Sequence, residues 1–386
     1  MTDIIIAGIG QTPVGEHWDI SLRSLAGQAM QAAIQDAGGL KPQALYAGNM
    51  LAANLSRQAH LAALLADFAG LAGIEAETVE AGGASGGAAL RQGYLAIASG
   101  LVDVALVVGV EKFTDVIGPN LEEALATQTD ADYEAIHGLT LSAQAAILAR
   151  RYMHENGVPA DGLAGFPLTT HANGAGNKNA MYRKAIALET YQKAEPVCDP
   201  LNIFDVAPNA DGAAALILAR RDLLPKDFPH PLIRLATSSM AADTLSLAER
   251  DDILWFAAAQ ASTEQAFQKA ILSREQVDLF EYYDAFSIFA ALSLEAAGFA
   301  KRGEGWKLGG DGSIALTGQI PCATLGGLKA RGNPGGASGV YQAVEAALQL
   351  RGQAGTNQIA GVRVALIQCL GGPASLAVTH ILENMA

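Results

Sequence analysis

Two short stretches of this chain have the composition of an anion-binding turn. Gly82-Gly83-Ala84-Ser85-Gly86 and Gly335-Gly336-Ala337-Ser338-Gly339 repeat one GGASG core, and each runs into a helical pattern, "AALRQGYLAIASG" and "VYQAVEAALQLRG". A glycine-rich turn at a helix start gathers unpaired backbone N–H groups and the positive end of the helix dipole at one point. Such a point holds anions and developing oxyanions, and it lowers the pKa of a thiol placed on it. Neither turn carries a thiol. Ser85 and Ser338 lack the G-x-S-x-G elbow that exposes a nucleophilic serine, so they read as packing residues. Cys198, Cys322 and Cys369 lie too far apart for a zinc motif or a disulfide framework, and the histidines show no metal-ligand spacing, so no metal is expected.

The elements that must position these turns are themselves repeated. After each helix comes a glycine stop and a strand of pattern V-x-V-A-L: "VDVALVVGV" from Val102 and "VRVALIQCL" from Val362. Closing strands match as well, "DGAAALILARR" from Asp211 and "GGPASLAVTHIL" from Gly371, and so do opening strands, "DIIIAGIG" and "PLIRLATSS". Matches in the same order imply two related α/β halves, residues 1–225 and 226–386. Continuous apolar strands alternating with helices mean buried sheets covered by helices. Residues from about 118 to 208 have no counterpart in the second half. They hold a helical stretch, "LTLSAQAAILARRYMHENG", and a Gly/Asn-rich loop, "HANGAGNKNAMYRK", and read as an insertion that covers one end of the first half. In the second half, "DILWFAAAQASTEQAFQKAI" reads as a helix and "DLFEYYDAF" as a strand.

Composition excludes several classes. The 386 residues are 50% hydrophobic with a formal net charge of -14, which describes a folded acidic protein and argues against nucleic acid or anionic membranes as partners. Sparse cysteines fit the cytoplasm, and "MTDIIIAGIG" reads as a buried first strand rather than a leader. No apolar run approaches the ~18 residues of a membrane span.

With the repeat established, the chain resembles the thiolase superfamily, and within it the subgroup of archaeal and sterol-carrier-protein-type thiolases. The stretches that carry the resemblance include "ASGGAALRQGYLAIASGLVDVALVVGVEKF", "PNADGAAALILA", "EYYDAFSIFAALSLEAAGF" and "GGLKARGNPGGASGVYQAVEAALQLRG". The resemblance implies a five-layer αβαβα sandwich of two related halves, a homodimer or higher oligomer, and coenzyme A thioesters as substrates, with no covalently bound cofactor. It also implies a possible partner, a small OB-fold protein with a zinc ribbon.

The same resemblance locates the catalytic positions, and there the chain departs from it. The position of the family's nucleophilic cysteine is Gly83, which cannot form an acyl-enzyme. Asn333, in Gly332-Asn333-Pro334-Gly335-Gly336, stands where the family has histidine; it can donate to an oxyanion but cannot shuttle a proton. Tyr283, in Tyr283-Asp284-Ala285-Phe286, stands where Asn or His orders a water. Cys369, in Cys369-Leu370-Gly371-Gly372, matches an acid/base cysteine. The N–H groups of Gly371 and Gly372 are expected to hold an enolate oxygen, Cys322 and His137 to line the pocket, and Lys178 and Arg183 to meet CoA phosphates. Asp284 is expected to cap the following helix.

These positions support three readings. One is an aldol-type lyase that needs no nucleophile, as in the steroid side-chain aldolases, with Tyr283 in the proton-transfer role and Tyr282, Tyr341 or Cys369 standing in for a second group. Another is a non-catalytic acyl-CoA-binding subunit. The last is acyl transfer through a recruited Cys369 or Cys322.

Overall fold

Residues 3–385 are described by the computed structural model; Met1 and Thr2 of the opening stretch and the final residue of the second half lie outside the described residues. The apolar runs form strands β1 (Ile4–Gln11), β2 (Ala44–Gly48), β3 (Glu75–Val79) and β4 (Val104–Glu111), then a two-stranded ribbon of β5 (Pro196–Cys198) and β6 (Leu201–Asn202). They continue as β7 (Gly212–Arg220), β8 (Ile233–Ala242), β9 (Leu279–Glu281), β10 (Val364–Gly371) and β11 (Leu376–Asn384). The large sheet has the order β3-β2-β4-β7-β1-β8-β11-β10-β9.

That order reads the same outward from its middle. From the centre, β1-β7-β4-β2 in the first half corresponds to β8-β11-β10-β9 in the second. The first two pairings of each series are antiparallel and the third is parallel. The two series meet where β1 and β8 touch, at the single pair Ile5–Arg234. The sheet halves therefore pack as two layers of a sandwich rather than as one flat surface.

Five layers result. Helices Leu22–Asp36 and Leu61–Phe68 cover the outer face of the first half, sharing a core with Leu45, Leu106 and Ile217. Helices Ala257–Ala270 and Ser287–Ala296 cover the outer face of the second, around Phe280, Leu366 and Ile381. The two helices that follow the GGASG turns, Ser85–Ala98 and Ser338–Leu350, form the middle layer and pack against strands of both halves. Covered on both sides, the Ser338–Leu350 helix buries even Gln342 and Glu345.

These two helices meet through backbone. A Cβ added at Gly86 would lie 2.7 Å from the Gly336 carbonyl oxygen and 2.9 Å from the Val340 nitrogen, and one at Gly339 would lie 2.4 Å from the Gly87 nitrogen. Such contacts admit no side chain at either position, which is why both turns repeat the same small residues.

Some local readings are corrected. The helix expected from Asp252 starts at Ala257, because the Asp252 side chain accepts the Leu254 N–H and its carbonyl accepts the Trp255 N–H, which closes a turn instead. The "HANGA" part of the expected loop is the end of helix Gly165–Ala175; Asn173 is buried there and donates to the Cys322 and Ala323 carbonyls. The stretch "DLFEYYDAF" stays a strand only over Leu279–Glu281. Beyond it, Gln342 Nε2 donates to the Tyr282 carbonyl at 2.7 Å, and the chain leaves β10.

The Gly339→Ala substitution is expected to destabilise the protein by about 1–3 kcal/mol, since the strain falls on backbone that cannot rotate away. Gly15→Ala, where an added Cβ meets nothing within 4 Å, serves as the control. Thermal unfolding of both variants, with Gly339→Ala no less stable than Gly15→Ala, would refute the backbone contact as the reason for the glycine.

Candidate active site

A cavity of about 150 Å³ opens beside the second turn, lined among others by Tyr283, Asn333, Gly335, Gly372, Gln128 and Glu122. A groove of about 340 Å³ adjoins it and shares Val197, Val206, Ala207 and Asn209 with it; His171, Tyr182 and Lys329 line its far part. The inserted segment thus supplies much of the wall, while the floor comes from both halves.

Tyr283 reaches the cavity because the chain peels away from β10 just before it. Its ring passes under the first turn: a Cβ at Gly83 would lie 2.2 Å from Tyr283 Oη and 2.7 Å from its Cζ. The tyrosine hydroxyl therefore fills the space that a side chain at position 83 would need. Among the described residues Tyr283 Oη makes no hydrogen bond. Burial holds the phenol well above the ordinary tyrosine range; the Cys369 thiol adds to this and the Arg331 guanidinium partly opposes it. At neutral pH the group is a proton donor.

The N–H beside Tyr283 is occupied too. Gln128 Oε1 accepts from the Gly83 N–H at 3.3 Å and from the Gly372 N–H at 3.2 Å. Two convergent backbone donors thus hold one sp² oxygen at the first turn, which is the geometry of an oxyanion site. Across the cavity, Asn333 is clamped through its backbone by Pro208 and Ala210, and its Oδ1 accepts from the Gly335 N–H at 3.2 Å and the Ser338 hydroxyl at 3.0 Å. Ser338 is thus a positioning residue for Asn333. Ser85 closes its own turn, donating to the Gly82 carbonyl and accepting from the Ala81 N–H.

A buried cation lies beneath the site. Arg331 is fully buried, pairs with Glu345 at 2.7 Å, and lies 5.0 Å from the centre of the Tyr341 ring. It lowers the proton affinity of Tyr283, Tyr341 and Cys369, but in each case desolvation outweighs it. Glu111 joins the two halves: it accepts from Met50, Leu51 and Gly336 N–H groups and from Asn49, and burial still pushes its carboxyl up to about 7.

The expected site residues separate into those that meet and those that do not. Tyr283, Asn333 and Gly372 share the cavity. Cys369 does not line it. Its thiol sits behind the turns, where Cβ atoms at Gly87 and Gly339 would lie 2.7 and 2.8 Å from it; it donates to Gln342 Oε1, and burial pushes its pKa up to about 12. Cys322 is likewise fully buried outside the lining, donating to the Ile320 carbonyl, with its pKa raised by desolvation. His137 is exposed on a one-turn helix. Lys178 lines a different groove with Asp36 and Thr356, and Arg183 is exposed outside the cavity lining. Gly371 ends β10, paired with Leu376, and the Gly372 N–H is already taken by Gln128. Asp284 is not a helix cap; it accepts the Leu328 N–H at 2.7 Å and anchors the loop before Asn333. Tyr341 is tied to Thr12, and Tyr282 is sealed in the core, so neither faces the cavity.

The residues that sequence reading missed are Gln128, Ser338 as an anchor, Arg331 and Glu122. Only Arg331 left a signal, a charged residue in the otherwise small and apolar run "GGLKARGNPGG".

The model described as Thiolase, N-terminal domain matches residues 4–222, and that described as Thiolase C-terminal domain-like matches residues 239–384. An acetyl-CoA acetyltransferase of Methanothermobacter thermautotrophicus is 39% identical over the full length of both chains. A 17-hydroxy-3-oxo-4-pregnene-20-carboxyl-CoA lyase of Mycobacterium tuberculosis is 27% identical, covering 94% of this chain and 95% of its own. Among solved structures, the Ltp2-ChsH2(DUF35) aldolase superposes with a TM-score of 0.84 at 25% identity, covering 99% of this chain and 98% of that one.

Replacing Gly83 by cysteine alone is expected to lower stability by about 1–3 kcal/mol through collision with Tyr283. Pairing it with Tyr283→Asn should recover the part of that loss due to the ring, a coupling of about 0.5–3 kcal/mol in a double-mutant cycle, while the contact of the added Cβ with the Leu370 carbonyl oxygen at 2.8 Å remains. Additive unfolding free energies would show that the two positions do not share one space.

Proposed function

This chain belongs to the thiolase family, and we propose that it works on acyl-CoA thioesters by aldol-type carbon–carbon bond cleavage or formation, without a covalent acyl-enzyme. One observation carries the reading: Tyr283 Oη fills the space in which an attacking side chain at position 83 would stand. A two-step acyl transfer needs a nucleophile there and a free N–H for the acyl oxygen. Here the first is replaced by a phenol and the second is engaged by Gln128.

The groups at the cavity suit a single step. In the cleavage direction a 3-hydroxyacyl thioester loses its hydroxyl proton, the Cα–Cβ bond breaks, and the electron pair passes into the thioester enolate as a carbonyl product leaves. The enolate carbon then takes a proton. One proton is lost and one is gained, so no co-reactant is required. Tyr283, held protonated by its burial, is assigned the donation to carbon. Glu122, a rim carboxylate whose pKa burial raises, is assigned the hydroxyl proton. Asn333, with its oxygen anchored, offers its amino group to the thioester oxygen. The adjoining groove is assigned to the pantetheine arm. A homodimer or higher oligomer, and a partner protein of the kind suggested by the two-component name of the aldolase neighbour, are part of the same proposal.

The acyltransferase name of the archaeal relative favours a second reading, acyl transfer through a cysteine. Incubation with acetyl-CoA followed by intact-mass spectrometry separates the two: no acetyl adduct is expected, and a stable adduct on Cys369 or Cys322 would establish acyl transfer instead. Under the aldol reading, Tyr283→Phe should lower the rate of carbonyl release from tertiary 3-hydroxyacyl-CoA thioesters by about 10²–10⁴-fold while thioester affinity stays within about twofold. Unchanged turnover would remove Tyr283 from the mechanism.

A further inference from the structure

We infer that Gln128 is a catalytic residue of this site. Its amide hydrogens, together with those of Asn333, form a two-amide clamp on the thioester oxygen as it gains charge. The inference rests on the enolate chemistry proposed above and identifies a donor that chemistry needs.

The orientation of both carboxamides follows from their anchors. A backbone N–H can only donate, so the atom that Gly83 and Gly372 bind must be the oxygen of Gln128, and the atom that Gly335 binds must be the oxygen of Asn333. Each amide is thus held by its oxygen, and each amino group points away from its anchor. Both side chains line the same small cavity, and neither amino group has a hydrogen-bond partner among the described residues. The Gln128 backbone is seated as firmly as its side chain: a Cβ at Gly372 would lie 2.7 Å from the Gln128 carbonyl oxygen, and Thr127 and Thr129 both turn their hydroxyls back onto the preceding helix.

The chemistry follows from that placement. The first turn presents N–H groups and a helix start, but Gln128 stands between them and any ligand. Donation to its oxygen polarises the amide and strengthens its N–H bonds as donors, so the positive end of the turn reaches the substrate through Gln128. Asn333 does the same from the second turn, where the Gly335 N–H and Ser338 polarise it. Two neutral donors, one from each half, favour an enolate oxygen over a thioester carbonyl oxygen without a charge that would hold the product.

A bound 3-ketoacyl thioester reports on this directly. Acetoacetyl-CoA titrated into the intact protein should develop the ultraviolet band of its enolate at a pH where the free thioester does not. In Gln128→Ala and in Asn333→Ala the enolate fraction should fall by about tenfold or more, with the thioester still bound. Gln128→Glu keeps an oxygen for Gly83 and Gly372 but replaces the donor hydrogens by an acceptor that also brings negative charge, so it should show at least the same loss even if the alanine variant is poorly folded. A band in Gln128→Ala and Gln128→Glu as strong as in the wild type, or stronger, would overturn the clamp and make Gln128 a plug in the oxyanion site. Wild-type protein that binds acetoacetyl-CoA without the band, or does not bind it, would overturn the enolate chemistry itself.

Discussion

The close approach of two helix starts, backbone against backbone, is the constraint from which the rest of this structure follows. Gly86 and Gly339 leave no room for side chains between the middle helices, so the two halves are held at a distance set by main-chain atoms. That distance brings the second turn to the cavity directly and the first through its contacts with Gln128 and Tyr283. It also forces the middle layer to be apolar or internally paired, because both of its faces are covered by sheet. Its buried polar groups are paired, among them Arg331 with Glu345 and the Gln342 amide, which donates to the Glu281, Tyr282 and Gln368 carbonyls.

Electrostatics at the site are governed by dryness more than by charge. Arg331 lies close enough to favour ionisation of Tyr283 and Cys369, yet both remain protonated because removal from water costs their anions more than one buried cation returns. The consequence is a site of neutral donors: a phenol and two anchored amides. Such a set suits a reaction in which negative charge appears on oxygen and is discharged by a proton, and it does not suit one that begins with an anionic nucleophile.

Much of the architecture was legible because it is periodic. The V-x-V-A-L strands became β4 and β10, the opening strands β1 and β8, the closing strands β7 and β11, and both GGASG turns lead into the helices read from their spacing. Where periodicity was interrupted by side-chain hydrogen bonds, reading failed: Asp252 cut back a helix, and Asn173 carried one into a stretch that looked like a loop. At the site, Tyr283 and Asn333 were visible as departures from family motifs. Motif position did not reveal direction, however. Cys369 and Gly87 pack against each other, so the thiol points into the middle layer, and Lys178 follows a helix end to another groove. Gln128 lies in "ATQTDAD", a stretch with neither apolar period nor motif, and only the folded chain brings it to Gly83 and Gly372.

The shared space of Gly83 and Tyr283 also sets the order in which such a site can arise. From a chain with a side chain at the first turn, tyrosine cannot enter until that side chain is gone, because ring and side chain would occupy the same volume. Loss of the side chain meets no such barrier, since it leaves only a small void. With the ring in its present place, sterics favour glycine first and tyrosine second. Once the ring has settled, any single reversion at position 83 meets it within 2.2 Å. A side chain can return to position 83 only if the Tyr283 ring moves or is replaced as well.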